Sequence, residues 1–152
     1  MGTQGFRLRD ATMADQGHIT ALVLRHRLNP IDLYWARFVV AEDRHGNFVG
    51  CGQVRQHGTV HEIASLAVVP ERQGEDLSRL LMEALLSRAS RPTWLMCESP
   101  LITFYARYGF EEVTDPARMP TYFRFHYVAT RPFLNAALML QGSHVAFMAK
   151  TA

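Results

Sequence analysis

A strand that runs into a glycine-containing loop and then into a helix can hold a phosphate-bearing ligand. Residues Ala64 to Leu81 follow that order. Ala64 to Val69 is nearly all apolar, Pro70 stops the strand, Glu71-Arg72-Gln73-Gly74-Glu75-Asp76 is a polar loop, and a helical pattern begins at Leu77. The amides of such a loop and of the first helical turn point outward and can grip a pyrophosphate. The helix dipole adds about 0.3–1 kcal/mol for each favourable charge. The same unit also occurs in α/β domains that hold no ligand, so these residues leave both readings open. Other chemistries find no support. The chain has no Gly-x-x-x-x-Gly-Lys-Ser/Thr, no Gly-x-Gly-x-x-Gly, no His-Glu-x-x-His and no Gly-x-Ser-x-Gly. His45, His57 and His61 lie close in sequence but on turns around a hairpin, where solvated side chains are expected rather than metal ligands.

The elements that position this unit are those of one ordinary domain. The chain has 152 residues, 48% apolar and 20% charged, and a formal net charge of +2. That balance gives no dense basic surface for nucleic acid, but allows a local positive site for an anionic cofactor. Cys51 and Cys97 sit in apolar, strand-like stretches and read as reduced core thiols of a cytoplasmic protein. Met1 to Asp10 carries no apolar signal segment, and Phe133 to Leu140 is too short to span a bilayer, so no membrane partner is expected.

Phe6–Arg9 reads as a first strand. Thr12 is placed to cap a helix from Met13 to about Leu28, with Asp15 three residues on and Asn29-Pro30 as the stop. Strands are expected at Trp35–Glu42 and Phe48–Gln56, joined by a turn at Asp43–Asn47. Val60–Val69 is apolar on both faces beyond Ile63, which marks a central strand. Leu77, Leu80, Leu81, Ala84 and Leu85 form one helical stripe. A strand at Thr93–Cys97, a helix at Leu101–Tyr108 closed by Gly109, and a strand at Phe110–Val113 follow. Tyr122–Leu140 is partly helical with a break at Pro132, and Val145–Met148 is a last strand. Hairpins first and strand–helix–strand units later predict an α/β mixed sheet with helices on both faces.

Leu66 to Leu81 resembles the acetyl-CoA-binding motif of the GCN5-related N-acetyltransferase (GNAT) family, Gln/Arg-x-x-Gly-x-Gly/Ala after a strand ending Val-x-Pro. Val68, Pro70, Gln73 and the Leu80–Leu81 pair set the register. Phe6 to Thr12 resembles the family's opening strand and cap, and Phe38 to Asp43 with Val49 to Gly52 its first hairpin. Phe104-Tyr105-Ala106-Arg107-Tyr108-Gly109-Phe110 is similar to its Tyr-x-x-x-Gly-Phe signature. The resemblance covers most of the chain. It implies a single acyl-CoA N-acyltransferase domain over residues 1–152, with a mostly antiparallel twisted sheet of six to seven strands and a splayed central parallel pair.

It further implies acetyl-CoA as acyl donor and a small-molecule or protein amine as acceptor. The backbone of Leu66, Ala67 and Val68 would bond the pantetheine arm. The amides of Gln73, Gly74, Glu75, Asp76, Leu77, Ser78 and Arg79 would hold the pyrophosphate, with Arg72 and Arg79 adding positive charge. Tyr105 matches a tyrosine that protonates the departing thiolate. Glu62, four residues before Leu66, is the candidate base, with His61 in reserve. The amine would attack the thioester directly, with backbone donors on the oxyanion.

The pattern departs at Asp76 and Ser78, which replace the two motif glycines. Asp76 suits an N-cap, so its carboxylate is expected on the amides a phosphate needs. A carboxylate about 5 Å from a phosphate charge costs about 1–3 kcal/mol at an effective dielectric near 20 or above, a weakening of roughly 5- to 150-fold. The departure keeps a second reading open, a degenerate GNAT-fold acyl-CoA-binding, sensor or interaction module without catalysis. Asn29-Pro30, Trp35, Met119-Pro120 and Tyr122-Phe123 are expected on the acceptor side. Tyr122, Phe123, Phe125 and Tyr127 equally suit a pocket, a homodimer interface or plain core.

Overall fold

A computed structural model describes residues 5–74 and 76–151. Seven strands form one mixed sheet: β1 Phe6–Asp10, β2 Phe38–Asp43, β3 Phe48–His57, β4 Val60–Val68, β5 Thr93–Glu98, β6 Glu111–Glu112 and β7 Val145–Lys150, hydrogen-bonded in the order β1-β2-β3-β4-β5-β7-β6. The β4–β5 pair is parallel, in register at His61↔Thr93 and Glu62↔Trp94, whereas β1–β2, β2–β3, β5–β7 and β6–β7 are antiparallel. The sheet is the expected mixed one, with seven strands. The described residues fall into two compact units, one within Met1–Arg55 and Ile63–Ala89, the other within Gln56–Glu62 and Ser90–Ala152.

The first unit packs α1 (Gln16–Arg25) and α2 (Leu77–Arg88) on β1 to β3 and the latter part of β4. Ile19, Leu22 and Val23 of α1 join Phe38, Val40, Cys51 and Ala67 in a buried cluster. α2 buries Leu77, Leu80, Leu81, Met82 and Leu85. It lies close to β3 because β3 offers glycines: a Cβ on Gly52 would sit 2.6 Å from Leu85 Cδ1, and one on Gly50 3.0 Å from Leu81 Cδ1. This contact fixes where the N-terminus of α2 stands relative to the end of β4.

The helix α1 is shorter than its sequence suggests. Arg27 turns left-handed at φ +55°, Arg27 N bonds Leu24 O at 3.0 Å, and Leu28 N bonds Val23 O at 3.1 Å. That is a Schellman end, and Leu28 packs on the core beside it. Trp35–Arg37 is a 3₁₀ turn rather than the start of β2.

The expected box at Thr12 and Asp15 forms on a 3₁₀ turn at Met13–Asp15, with Thr12 N donating to Asp15 Oδ2 at 2.7 Å. Arg9 grips the same carboxylate with two guanidinium nitrogens at 2.7 and 2.9 Å. These bonds hold Asp15 at about 2, below the ordinary 3.8, with Arg9 the largest cause. A carboxylate so depressed stabilises the fold above its ordinary range, and the stabilisation disappears as pH falls from about 4 to about 2. Asp15→Asn is expected to lower unfolding free energy at pH 7 by about 2 kcal/mol and to flatten its slope over that acid window. Denaturant titrations at a series of pH values measure both effects. An unchanged slope below pH 4 would remove Asp15 from this role.

The second unit holds β5, β6, β7, the first residues of β4 and three short helices: α3 Ile102–Ala106, α4 Thr121–Phe125 and α5 Arg131–Leu138. A π-helical turn, His126–Thr130, joins α4 to α5. Pro132, expected as a break, sits in the first turn of α5, where its missing N–H is not needed. Val60, Trp94, Val113, Met119, Phe123, Phe147 and Ala149 form the buried cluster of this unit. Met119 and Phe123, expected on the acceptor side, are therefore core.

Candidate functional site: the end of β4, the loop and the start of α2

Ser65, inside β4, has φ +58°, a left-handed residue of the kind that bends and twists a strand at a bulge. Buried Gln53 holds it there: Gln53 Nε2 donates to Ser65 Oγ at 2.9 Å and to Asp32 O at 3.2 Å. Beyond Ser65, Val69 N donates to Val49 O of β3 at 2.9 Å. Strand alternation then aims the backbone groups of Ala67 toward β3 and those of Leu66 and Val68 away from it. The Val68 carbonyl already bonds His26 Nε2 at 2.8 Å and accepts from Gln73 Nε2 at 3.5 Å.

After β4 the chain makes a 3₁₀ turn at Pro70–Arg72, and Gly74 has φ +87° with open space around its Cβ direction. Glu75 lies outside the described residues. Asp76 is left-handed at φ +61°, ψ 7°, a conformation in which glycine is free and Asp is among the more tolerant side chains. It occupies the N-cap position, yet its side chain makes no capping bond. The expected bond to the first-turn amides is therefore not made, and the carboxylate is 65% exposed and lies 3.8 Å from Arg79 Nη2. The first intrahelical bond runs from Leu80 N to Asp76 O at 3.1 Å, so the amides of Leu77 and Ser78 precede the helical ladder.

The two cations of this segment have partners. Arg72 Nη2 bonds Asp43 Oδ2 at 3.2 Å, and its guanidinium lies 5.8 Å from the Phe6 ring centroid. Arg79 Nη1 bonds Glu83 Oε1 at 2.9 Å. The Asn47 side chain and the amides of Asn47 and His45 bond Asp43 and hold its carboxylate near 2, so Arg72 faces a permanent anion.

The two residues carried as catalytic candidates lie in the second unit. Tyr105, on α3, sets its ring edge-on to Phe104, with centroids 5.0 Å apart at 80°. Burial pushes its phenol well above the ordinary tyrosine range, with Cys97 and Tyr108 adding to the shift. It therefore stays protonated through neutral pH. Glu62 is 1% exposed, and His57 Nε2 lies 2.8 Å from its Oε1. His61 Nδ1 accepts from Ser90 N at 2.6 Å, on the opposite side of β4 by strand alternation. Both cysteines are buried, and burial is the largest cause raising their thiols to about 12, which keeps them neutral.

The GNAT acetyltransferase domain model matches residues 34–112, just over half of the chain, and spans the whole β4–loop–α2 unit. The chain belongs to the GNAT acetyltransferase family. The GNAT fold recurs in solved structures at low identity. Rv2747 of Mycobacterium tuberculosis, solved in complex with CoA, is 22% identical with a TM-score of 0.74, over 96% of this chain and 99% of that one. ElaA of Escherichia coli is 15% identical, TM-score 0.65, over 95% and 99%. N-acetylglutamate synthase of Neisseria gonorrhoeae, complexed with coenzyme A and L-arginine, is 20% identical, TM-score 0.70. The GNAT chain described here is covered to 97% in that match but spans only 34% of the synthase. No curated protein matches the sequence at a significant level.

Two features of this GNAT chain escape a reading of the sequence. His57, expected as a solvated turn residue, is half-buried: its imidazole stacks on Tyr122, with centroids 3.5 Å apart at 10°. A signal for its pairing with Glu62 existed. A two-residue turn at Gly58–Thr59 makes residues 57 and 62 diagonal neighbours on one face of the hairpin. The left-handed Ser65 carried no signal, since serine is not a residue type that marks φ above zero. Among the described residues no group of three His, Cys, Asp or Glu is placed to hold a metal ion, and no helix is long and apolar enough to cross a membrane.

Proposed function

We propose that this protein transfers an acetyl group from acetyl-CoA to the amine of a small molecule or protein, in the cytoplasm. The observation that supports this most is the loop into α2. Asp76 adopts the left-handed turn of the lost glycine and directs its carboxylate to Arg79, leaving the first-turn amides uncapped. A diphosphate would lie on the amides of Gly74 and of Asp76 to Ser78, at the positive end of the α2 dipole. The pantetheine arm would run beside β4 as an added strand, bonded through Leu66 and the Val68 N–H. The amine adds to the thioester carbonyl carbon, the tetrahedral adduct expels the thiolate, and Tyr105 supplies the proton that makes it a thiol. The CoA complexes of structural neighbours agree with a CoA-type donor.

Calorimetric titration with acetyl-CoA is expected to give micromolar to submillimolar binding. Thiol release in the presence of a panel of amines, including amino acids, polyamines and lysine peptides, is expected to exceed hydrolysis. Absence of acetyl-CoA binding would end the enzyme reading. Binding without transfer to any amine would favour the non-catalytic acyl-CoA sensor.

A further inference from the structure

We infer that His57, oriented by Glu62, is the base that takes the proton from the acceptor amine; this deepens the acetyltransferase reading and rests on it. Glu62 came into view as the base because of its place on β4, but its carboxyl side chain is only 2% exposed. The imidazole bonded to it is 15% exposed, so of the two groups His57 is the one more open to an acceptor. An ionised carboxylate can only accept a hydrogen bond. With Glu62 as the acceptor, the 2.8 Å contact is made by Nε2–H, and in that arrangement a neutral ring carries its lone pair on Nδ1.

The ring has little freedom to turn. Tyr122 covers one face at 3.5 Å and 10°, and Phe123 meets the ring at 5.8 Å and 87°. Phe123 is itself fixed by stacking on Trp94 at 5.0 Å. Among the described residues of this unit, the His126 ring meets Tyr122 at 4.5 Å, and His61, across β4, is engaged with Ser90 N. A buried carboxylate, an imidazole locked by stacking and one free ring nitrogen are the parts of an oriented base.

The protons balance as follows. The ammonium of the acceptor gives one proton to His57 Nδ1, and the resulting imidazolium is stabilised by Glu62. The freed lone pair forms the new C–N bond, the C–S bond breaks, and the thiolate takes a proton from Tyr105. The nitrogen of the adduct then loses its second proton, which restores Tyr105 through solvent. His57 returns its proton to water, so one proton is released in each turnover.

The test compares wild type, His57→Gln and Glu62→Gln. With an amine that wild type acetylates, His57→Gln is expected to lose about 10²-fold in kcat with the Kd for acetyl-CoA unchanged. Imidazole added to the structurally softer His57→Ala variant is expected to restore part of the rate. Glu62→Gln is expected to lose less, because the imidazole remains. ¹⁵N shifts of the wild-type His57 ring are expected to show the Nε2–H tautomer, a readout that needs no turnover. A His57→Gln enzyme within about twofold of wild type, a larger loss in Glu62→Gln than in His57→Gln, or an Nδ1–H tautomer would each overturn the assignment while leaving the acetyltransferase reading intact. A wild type inactive on every amine overturns both.

Discussion

Tyr105→Phe is expected to lower kcat for acetyl transfer by about 10²-fold while the Kd for CoA stays within about twofold, since one acid group supplies effects of that order. The phenol is suited to the task by its setting. Burial against Phe104 and the neighbouring Cys97 and Tyr108 keep it protonated well past neutral pH. A group that holds its proton so firmly is a weak acid toward bulk water. A thiolate is a weaker base than a phenolate, so beside an expelled thiolate Tyr105 would donate a hydrogen bond first and complete the transfer only as its own proton is replaced, and loss of the hydroxyl would remove that donor. The fold should be little affected, because Phe keeps the edge-on contacts with Phe104 and Phe110. Stopped-flow thiol release and calorimetry separate the two parameters. An unchanged kcat would assign Tyr105 to packing alone.

Asp76→Gly is expected to tighten CoA binding, by roughly 5- to 150-fold if the full charge repulsion is relieved. With the carboxylate 65% exposed, water screens it, and the lower end of that range is the expected result. The same substitution removes an L-residue from φ +61°, so thermal stability should hold or rise; the strain is of order 1 kcal/mol and less for Asp than for most side chains. Asp76→Ala separates the two effects. It deletes the charge but keeps the strained Cβ, so it should gain affinity and lose stability. Equal affinity in wild type and both variants would show that the carboxylate does not reach the ligand.

Much of this arrangement was legible in the residues, for physical reasons that differ along the chain. The β4–loop–α2 unit stood out because an apolar run, a proline stop and a regular leucine stripe agree with one another. The N-terminal hairpin was equally clear, since Gly46 takes φ +80° where a turn residue was expected. Asn47 at the same turn instead donates its side chain to Asp43 at 3.1 Å. The sequence pattern overruns the end of α1 because Arg27 gives no hint of its left-handed turn. The helix expected to run to Tyr108 is regular only over Ile102–Ala106, and β6 shrinks to Glu111–Glu112. The acceptor-side aromatics were ambiguous by type, and burial separates them: Phe123 is 0% exposed, Phe125 is 63% exposed and Tyr122 is the platform for His57.

The pairing of Arg72 with Asp43 and of Arg79 with Glu83 has a bearing on how any polyanion would be held. Cations already neutralised by their own neighbours contribute little long-range pull, so attraction would come mostly from oriented amides at contact distance. Such short-range dipolar contacts are far less sensitive to ionic strength than a field of unpaired charges. Added salt should therefore slow capture of a nucleotide-bearing thioester only slightly.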